Sequence, residues 1–166
     1  TSRLVGSEMC IRDRAMEGTD AWLVSDEVYG PMVHDGRPAP LPALHRGLRS
    51  RTLVAGSFGK LFHATGWTIG WLAAPEAVTR ELRKVHHSDV FSTGAPIQAG
   101  LVTYLATEEA EDHLRAVGPI YEAKRDRLLR GLKGTGLTWT PAEGGYFQVV
   151  GVSCLLYTSP SPRDDL

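Results

Sequence analysis

Short, solid apolar runs alternate along this chain with longer stretches in which apolar residues recur every three or four positions. Ala21-Trp22-Leu23-Val24, bounded by Asp20 and by Ser25-Asp26-Glu27, predicts a strand buried on both faces. Thr52 to Gly56 and Ile69 to Ala74 predict two more strands of the same kind. Pro75-Glu76 marks a helix start, and Val78, Leu82 and Val85 share one face of a helix running to about Ser88. Arg80, Glu81, Arg83 and Lys84 then fall on its wet face. After the break at Thr93-Gly94-Ala95-Pro96 the pattern predicts a helix from about Ile97 to Ala106. A long charged helix follows from about Glu109 to Leu132, with Glu108 to Asp112 as its solvated first turn and Gly131 to Gly136 ending it. Gly145 to Val150 reads as a last strand, entered through Pro141-Ala142-Glu143-Gly144. No internal repeat is visible. This order predicts an α/β fold with a parallel-rich sheet whose ligand groups sit at the strand ends.

The 166 residues amount to one globular domain or a piece of one. Eighteen Lys and Arg against 19 Asp and Glu leave a net charge of -1, which removes the basic footprint of a nucleic-acid binder. No run approaches the roughly 18 apolar residues of a membrane span, and no signal-peptide pattern opens the chain, so a soluble cytoplasmic protein is expected. The two ends stand apart. Cys154 to Ser159 can be back-translated to a DNA stretch whose reverse complement encodes Met9-Cys10-Ile11-Arg12-Asp13, so inverted copies of one element can encode both termini. That element resembles a transposon-end sequencing adapter. Residues 1–14 and 152–166 are accordingly expected to be read-through segments outside the fold, and the rest an internal fragment of a longer enzyme. Both cysteines lie in these segments, so disulfide and zinc readings fall away. His63, His86 and His87 are expected to be packing or surface residues, and no metal is expected.

Two of the predicted strands each deliver polar groups at the C-terminal end: Asp26 and Tyr29 after the first, Ser57 and Lys60 after the second. A lysine at a buried strand end is costly, because desolvation disfavours its charged form. The same desolvation makes the amine a nucleophile able to form a Schiff base with an aldehyde. Acid, phenol, hydroxyl and amine together suit pyridoxal phosphate, with Asp26 on the pyridine nitrogen, Tyr29 on the ring oxygen and Ser57 on the phosphate.

Ser25-Asp26-Glu27-Val28-Tyr29, followed by Ser57-Phe58-Gly59-Lys60 and Thr65-Gly66-Trp67, resembles the fold-type I aminotransferases of class I/II. Arg83 to His86, Pro96-Ile97-Gln98, Tyr121 to Asp126 and Gly144-Gly145-Tyr146-Phe147 are similar to the methionine and kynurenine aminotransferase branch. The resemblance covers nearly all of residues 20–150. It implies part of the cofactor-binding large domain over 15–107, then a connecting helix and the start of the small domain over 108–151. It makes Lys60 the Schiff-base lysine and proton carrier, and Asp26, Tyr29 and Ser57 the cofactor contacts. Gly145 and Tyr146 fall on the substrate's side. The implied reaction is transamination of a large hydrophobic, sulfur-containing or aromatic L-amino acid with a 2-oxo acid in a homodimer. The fragment itself is expected to be inactive and prone to aggregation. A pyridoxal-phosphate-dependent C-S lyase, or the aminotransferase-like sensor domain of a transcription regulator, are the alternatives. One position departs from the family pattern: Thr68 stands where Lys or Arg usually contacts the phosphate, and a hydroxyl brings no charge.

Overall fold

A computed structural model describes residues 15–16, 18–39 and 47–152, so the predicted read-through segment 1–14 and all of 152–166 but Val152 lie outside the described residues, as do residues 17 and 40–46. Three strands form one sheet in the order β1-β2-β3: β1 is Leu23–Asp26, β2 is Thr52–Ser57 and β3 is Gly70–Ala73. β1 and β2 run parallel, with Leu23 opposite Thr52 and Asp26 opposite Ala55. β3 runs antiparallel to β2, with Val54 opposite Ala73 and Ser57 opposite Gly70. The expected parallel-rich pairing therefore holds for one of the two ladders. The link between β2 and β3 carries only a one-turn helix, α1 (Phe58–Leu61), and a 3-10 turn (Thr65–Trp67). It has no helix long enough to carry the chain back along the sheet, as a parallel crossover usually does, and the next strand pairs in reverse.

The three strands were also expected to be buried on both faces, and they are not. In β1, Leu23 and Ser25 are half-buried, whereas Val24 and Asp26 are exposed, Val24 by 66%. Thr52 and Val54 of β2 are buried on the face that Leu23 and Ser25 share, and β3 is exposed along its length. A strand buries both faces only between two packed layers. Among the described residues, one layer is present.

Helix α2 (Glu76–Asp89) starts after Pro75, as the sequence predicts, but only Val78 and Leu82 of its apolar stripe are half-buried, and Val85 is 63% exposed. Helix α3 is Ala95–Leu105, buried through Leu101. Helix α4, Glu108–Leu132, is capped by Thr107, whose hydroxyl accepts from the Ala110 N–H at 3.3 Å, and carries three glutamates in its first turn. One face of α4 supplies much of the core: Ala110, Val117, Gly118, Arg125 and Leu129 are buried. Against its middle lies the segment that follows β1, with Met32 and His34 at 0% and 1% exposure. Gly118 permits this approach, since a Cβ there would sit 3.0 Å from the carbonyl oxygens of both Pro31 and Val33.

The strand expected over Gly145–Val150 is mostly absent. Only β5 (Val150–Gly151) pairs, antiparallel, with β4 (Thr138–Trp139). Gly145 has φ +71°, which turns the chain out of the extended conformation before Tyr146. No described helix is long and apolar enough to cross a membrane.

Candidate functional site

Parallel pairing of β1 with β2 fixes the first half of the site. Since paired residues point the same way, Asp26, Ala55 and Ser57 lie on one face of the sheet at the C-terminal end of the two strands. This is the uncovered face. The Asp26 carboxylate accepts the Val28 N–H at 3.1 Å, which turns the chain so that Tyr29 follows three residues on. The Ser57 hydroxyl accepts the Gly59 N–H at 3.2 Å and so caps α1, the turn that carries Lys60. Lys60 was expected at a buried strand end. It is half-buried, because the sheet face beside it is open.

Tyr29 meets a residue from the far end of the chain. The Tyr29 and Tyr146 hydroxyl oxygens are 3.1 Å apart and the rings meet edge to face at 5.0 Å, with the positive charge of Lys60 acting on Tyr146. Tyr29 is pushed up to about 12, first by its bond to Tyr146, then by burial and by negative charge on Tyr146 and Asp26. Tyr146 is held below the usual phenol range, first by the hydrogen bond from Tyr29 and then by Lys60. Tyr29 is thus the donor and Tyr146 the acceptor. Asp26 and Ser57 make no direct hydrogen bond to Tyr29 or Lys60 among the described residues. Asp26 and Ser57 therefore share the sheet face, while Tyr29 is bonded to Tyr146.

Tyr146 reaches this position because a second segment docks on the residues after Tyr29. Val33 bridges Gly144, with the His34 N–H donating to the Glu143 carbonyl at 3.0 Å and the Gly145 N–H donating to Met32 at 2.8 Å. A Cβ on Gly144 would stand 2.9 Å from the Met32 carbonyl oxygen, so the docking requires glycine there. Sequence reasoning placed Gly145 and Tyr146 on the substrate's side of the site. It missed Arg125, Asp35 and His34. Arg125 makes a two-pronged contact to Asp35 at 2.9 and 2.9 Å, donates to the Ala142 carbonyl at 2.7 Å and pairs with Asp126. It holds the Asp35 carboxyl below its usual range, and its own pKa is raised, each being the largest cause of the other's shift. His34 Nδ1 lies 3.2 Å from the Ala142 carbonyl, and its Nε2 has no hydrogen-bond partner among the described residues. His34 is one wall of a cavity of about 150 Å³ between α4 and residues 142–148, which Tyr121, Tyr146 and Phe147 also line.

Thr68, the departure from the family pattern, is exposed with φ +49° at the end of the 3-10 turn. His63, His86 and His87 are exposed as expected, and His63 packs against the rings of His113 and Tyr121.

The sequence model of one protein family, aminotransferase class I and II, matches residues 11–159. Among curated proteins, the chain is 35% identical over 153 residues to methionine aminotransferase of Escherichia coli (strain K12), covering 92% of this chain and 38% of that protein. It is 33% identical over 141 residues to kynurenine–oxoglutarate transaminase 1 of Rattus norvegicus, covering 81% and 33%. Among solved structures it is similar to YbdL from Escherichia coli, whose crystal structure and reactivity identified a methionine aminotransferase function. That match has a TM-score of 0.83 and 34% identity, over 90% of this chain and 38% of that one. An aspartate aminotransferase double mutant from Thermus thermophilus matches with a TM-score of 0.75 and 25% identity, over 90% and 38%. The chain spans about two-fifths or less of the length of these relatives.

Proposed function

The chain belongs to the aminotransferase class I and II family, and on that premise we propose that it is part of a pyridoxal-phosphate-dependent enzyme that moves the amino group of a large hydrophobic, sulfur-containing or aromatic L-amino acid to a 2-oxo acid. The observation that carries this is the placing of Asp26 and Ser57 at the ends of adjacent parallel strands, with Lys60 in the turn that Ser57 caps and Tyr29 in the turn after Asp26. A carboxylate, a hydroxyl and a protonated phenol at the ends of adjacent strands, with an amine one turn away, form a donor set that fits a flat phosphorylated pyridine.

In this reading Asp26 holds a proton on the ring nitrogen and Ser57 donates to the phosphate. Tyr29, a neutral phenol in the neutral range, would turn its one O–H from Tyr146 to the ring oxygen when the group is bound. When bound, pyridoxal phosphate supplies an electron-withdrawing ring that stabilises negative charge at the α carbon of the amino acid. Lys60 would be the residue that holds the group's aldehyde end, and its Nζ, once free, would take the proton from that α carbon. The two substrates react in turn, in ping-pong fashion. Residues 15–107 then belong to the cofactor-binding large domain and 108–151 to the connecting helix and the start of the small domain, in a subunit that pairs as a homodimer.

The test is Lys60→Ala in a subunit of the relatives' full length carrying this sequence. Amino-group exchange between methionine or an aromatic amino acid and a 2-oxo acid is expected to fall by at least about a thousandfold with circular dichroism unchanged, since the nucleophile and the proton carrier are lost together. A folded variant that still exchanges amino groups would refute the assignment.

A further inference from the structure

Arg125 is the most heavily bonded side chain among the described residues, and nothing in the transamination chemistry uses it directly. Its side chain is 8% exposed. One guanidinium nitrogen reaches both the Asp35 carboxylate and the Ala142 carbonyl, at 2.9 and 2.7 Å, and the other completes the fork on Asp35 at 2.9 Å. Asp35 lies six residues after Tyr29, and Ala142 four residues before Tyr146. The clamp thus grips the two segments just beyond the bridge between Val33 and Gly144, with the contact between the two tyrosines at the bridge's other end. A guanidinium suits this task because its planar fork fixes direction as well as distance, which an ammonium does not.

We propose that Arg125 is a positioning residue: by holding Asp35 and the Ala142 carbonyl together it sets the docking of residues 142–146 on residues 29–36, and so places the Tyr146 hydroxyl against Tyr29. This rests on the reading of Tyr29 as a site residue, but it concerns the geometry of the protein alone. The raised pKa of Tyr29 is its reporter, because the largest cause of that shift is the bond to Tyr146.

The sign of the effect separates positioning from charge. Removing a cation near a phenol disfavours the phenolate and by itself raises the phenol's pKa. Losing the clamp removes the hydrogen bond that keeps the Tyr29 proton in place, and lowers it.

The experiment is a tyrosinate absorbance titration by pH jump, fast enough to precede alkaline unfolding, on the full-length subunit without cofactor; Tyr29→Phe identifies the highest midpoint. Arg125→Met is expected to bring that midpoint from about 12 toward the ordinary 10, up to a hundredfold loss of proton affinity. Asp35→Asn, which leaves Arg125 its contacts to Ala142 and Asp126, shifts it the same way by less. Arg125→Lys, which keeps the charge without the fork, falls with Arg125→Met. A midpoint that stays near 12 or rises in folded Arg125→Met would overturn the proposal, as would full retention in Arg125→Lys. If Arg125→Met does not fold, an unmoved midpoint in Asp35→Asn overturns it. Since no cofactor is present, the result stands apart from the Lys60→Ala assay: either can fail while the other holds.

Discussion

The sheet and the docked joint around Arg125 solve opposite problems. On the sheet, Asp26 and Ser57 occupy a face with nothing packed over it, and Val24, Trp71 and Leu72 are exposed by 66, 41 and 48%. In the joint, Met32, His34 and Val117 are at 0–1% exposure, the backbone is bridged, and a buried guanidinium ties three segments together. Groups that are to meet a ligand need an open surface, whereas groups that aim them need rigid support. Tyr29 lies between the two regions and is shaped by both, through Asp26 on one side and Tyr146 on the other.

Substitutions in the two regions should therefore differ in kind. The largest effect on stability is expected in the joint: Gly118→Ala forces a methyl group to 3.0 Å from two carbonyl oxygens and should cost about 1–3 kcal/mol, read as a lower Tm. An unchanged Tm would show that the joint is loose. Next comes a change in binding without a change in stability. Thr68→Arg supplies the charge that the family pattern places there, and pyridoxal phosphate should bind about tenfold more tightly by fluorescence titration. Weaker or equal binding would separate Thr68 from the phosphate. A smaller effect concerns acid. Asp35 has a lowered folded pKa, so its contribution to stability is present above the unfolded carboxylate value near 4 and is lost as pH falls through the folded value. Asp35→Asn should lower stability at neutral pH and flatten its decline below about pH 4, and an unaltered acid-unfolding curve would count against the clamp. The smallest is on the open face, where Val24→Thr should change stability by no more than about 0.5 kcal/mol.

Much of this was legible from local pattern. The three strands, the helix starting at Pro75 and the long helix all lie within a few residues of their expected positions, because apolar periodicity and the Pro and Gly breaks are local signals. Strand direction and burial were not, since they depend on what lies beside a strand. A solid apolar run reads as buried on both faces whether or not a second layer is there to cover it. The stretch from Gly145 to Val150 has strand-forming residues, yet a left-handed glycine and docking against Met32 override them. Lys60, Asp26, Tyr29 and Ser57 were proposed as site residues from a motif on two strand ends, and the structure puts them at the ends of β1 and β2 and in the turns that follow. Arg125 and Asp35 were not, because residues 90 positions apart share no periodicity, and an Arg among charged helix residues reads as surface.

The hydrogen bond between Tyr29 and Tyr146 closes a loop of 117 residues. During translation at roughly 5–20 residues per second, Tyr29 leaves the ribosome about 6–23 seconds before its partner has been made. For that interval β1 and the segment behind it have no docking partner, and Tyr29 lacks the hydroxyl that accepts its proton. The joint is thus a late step in folding, closed only once Tyr146 has been made.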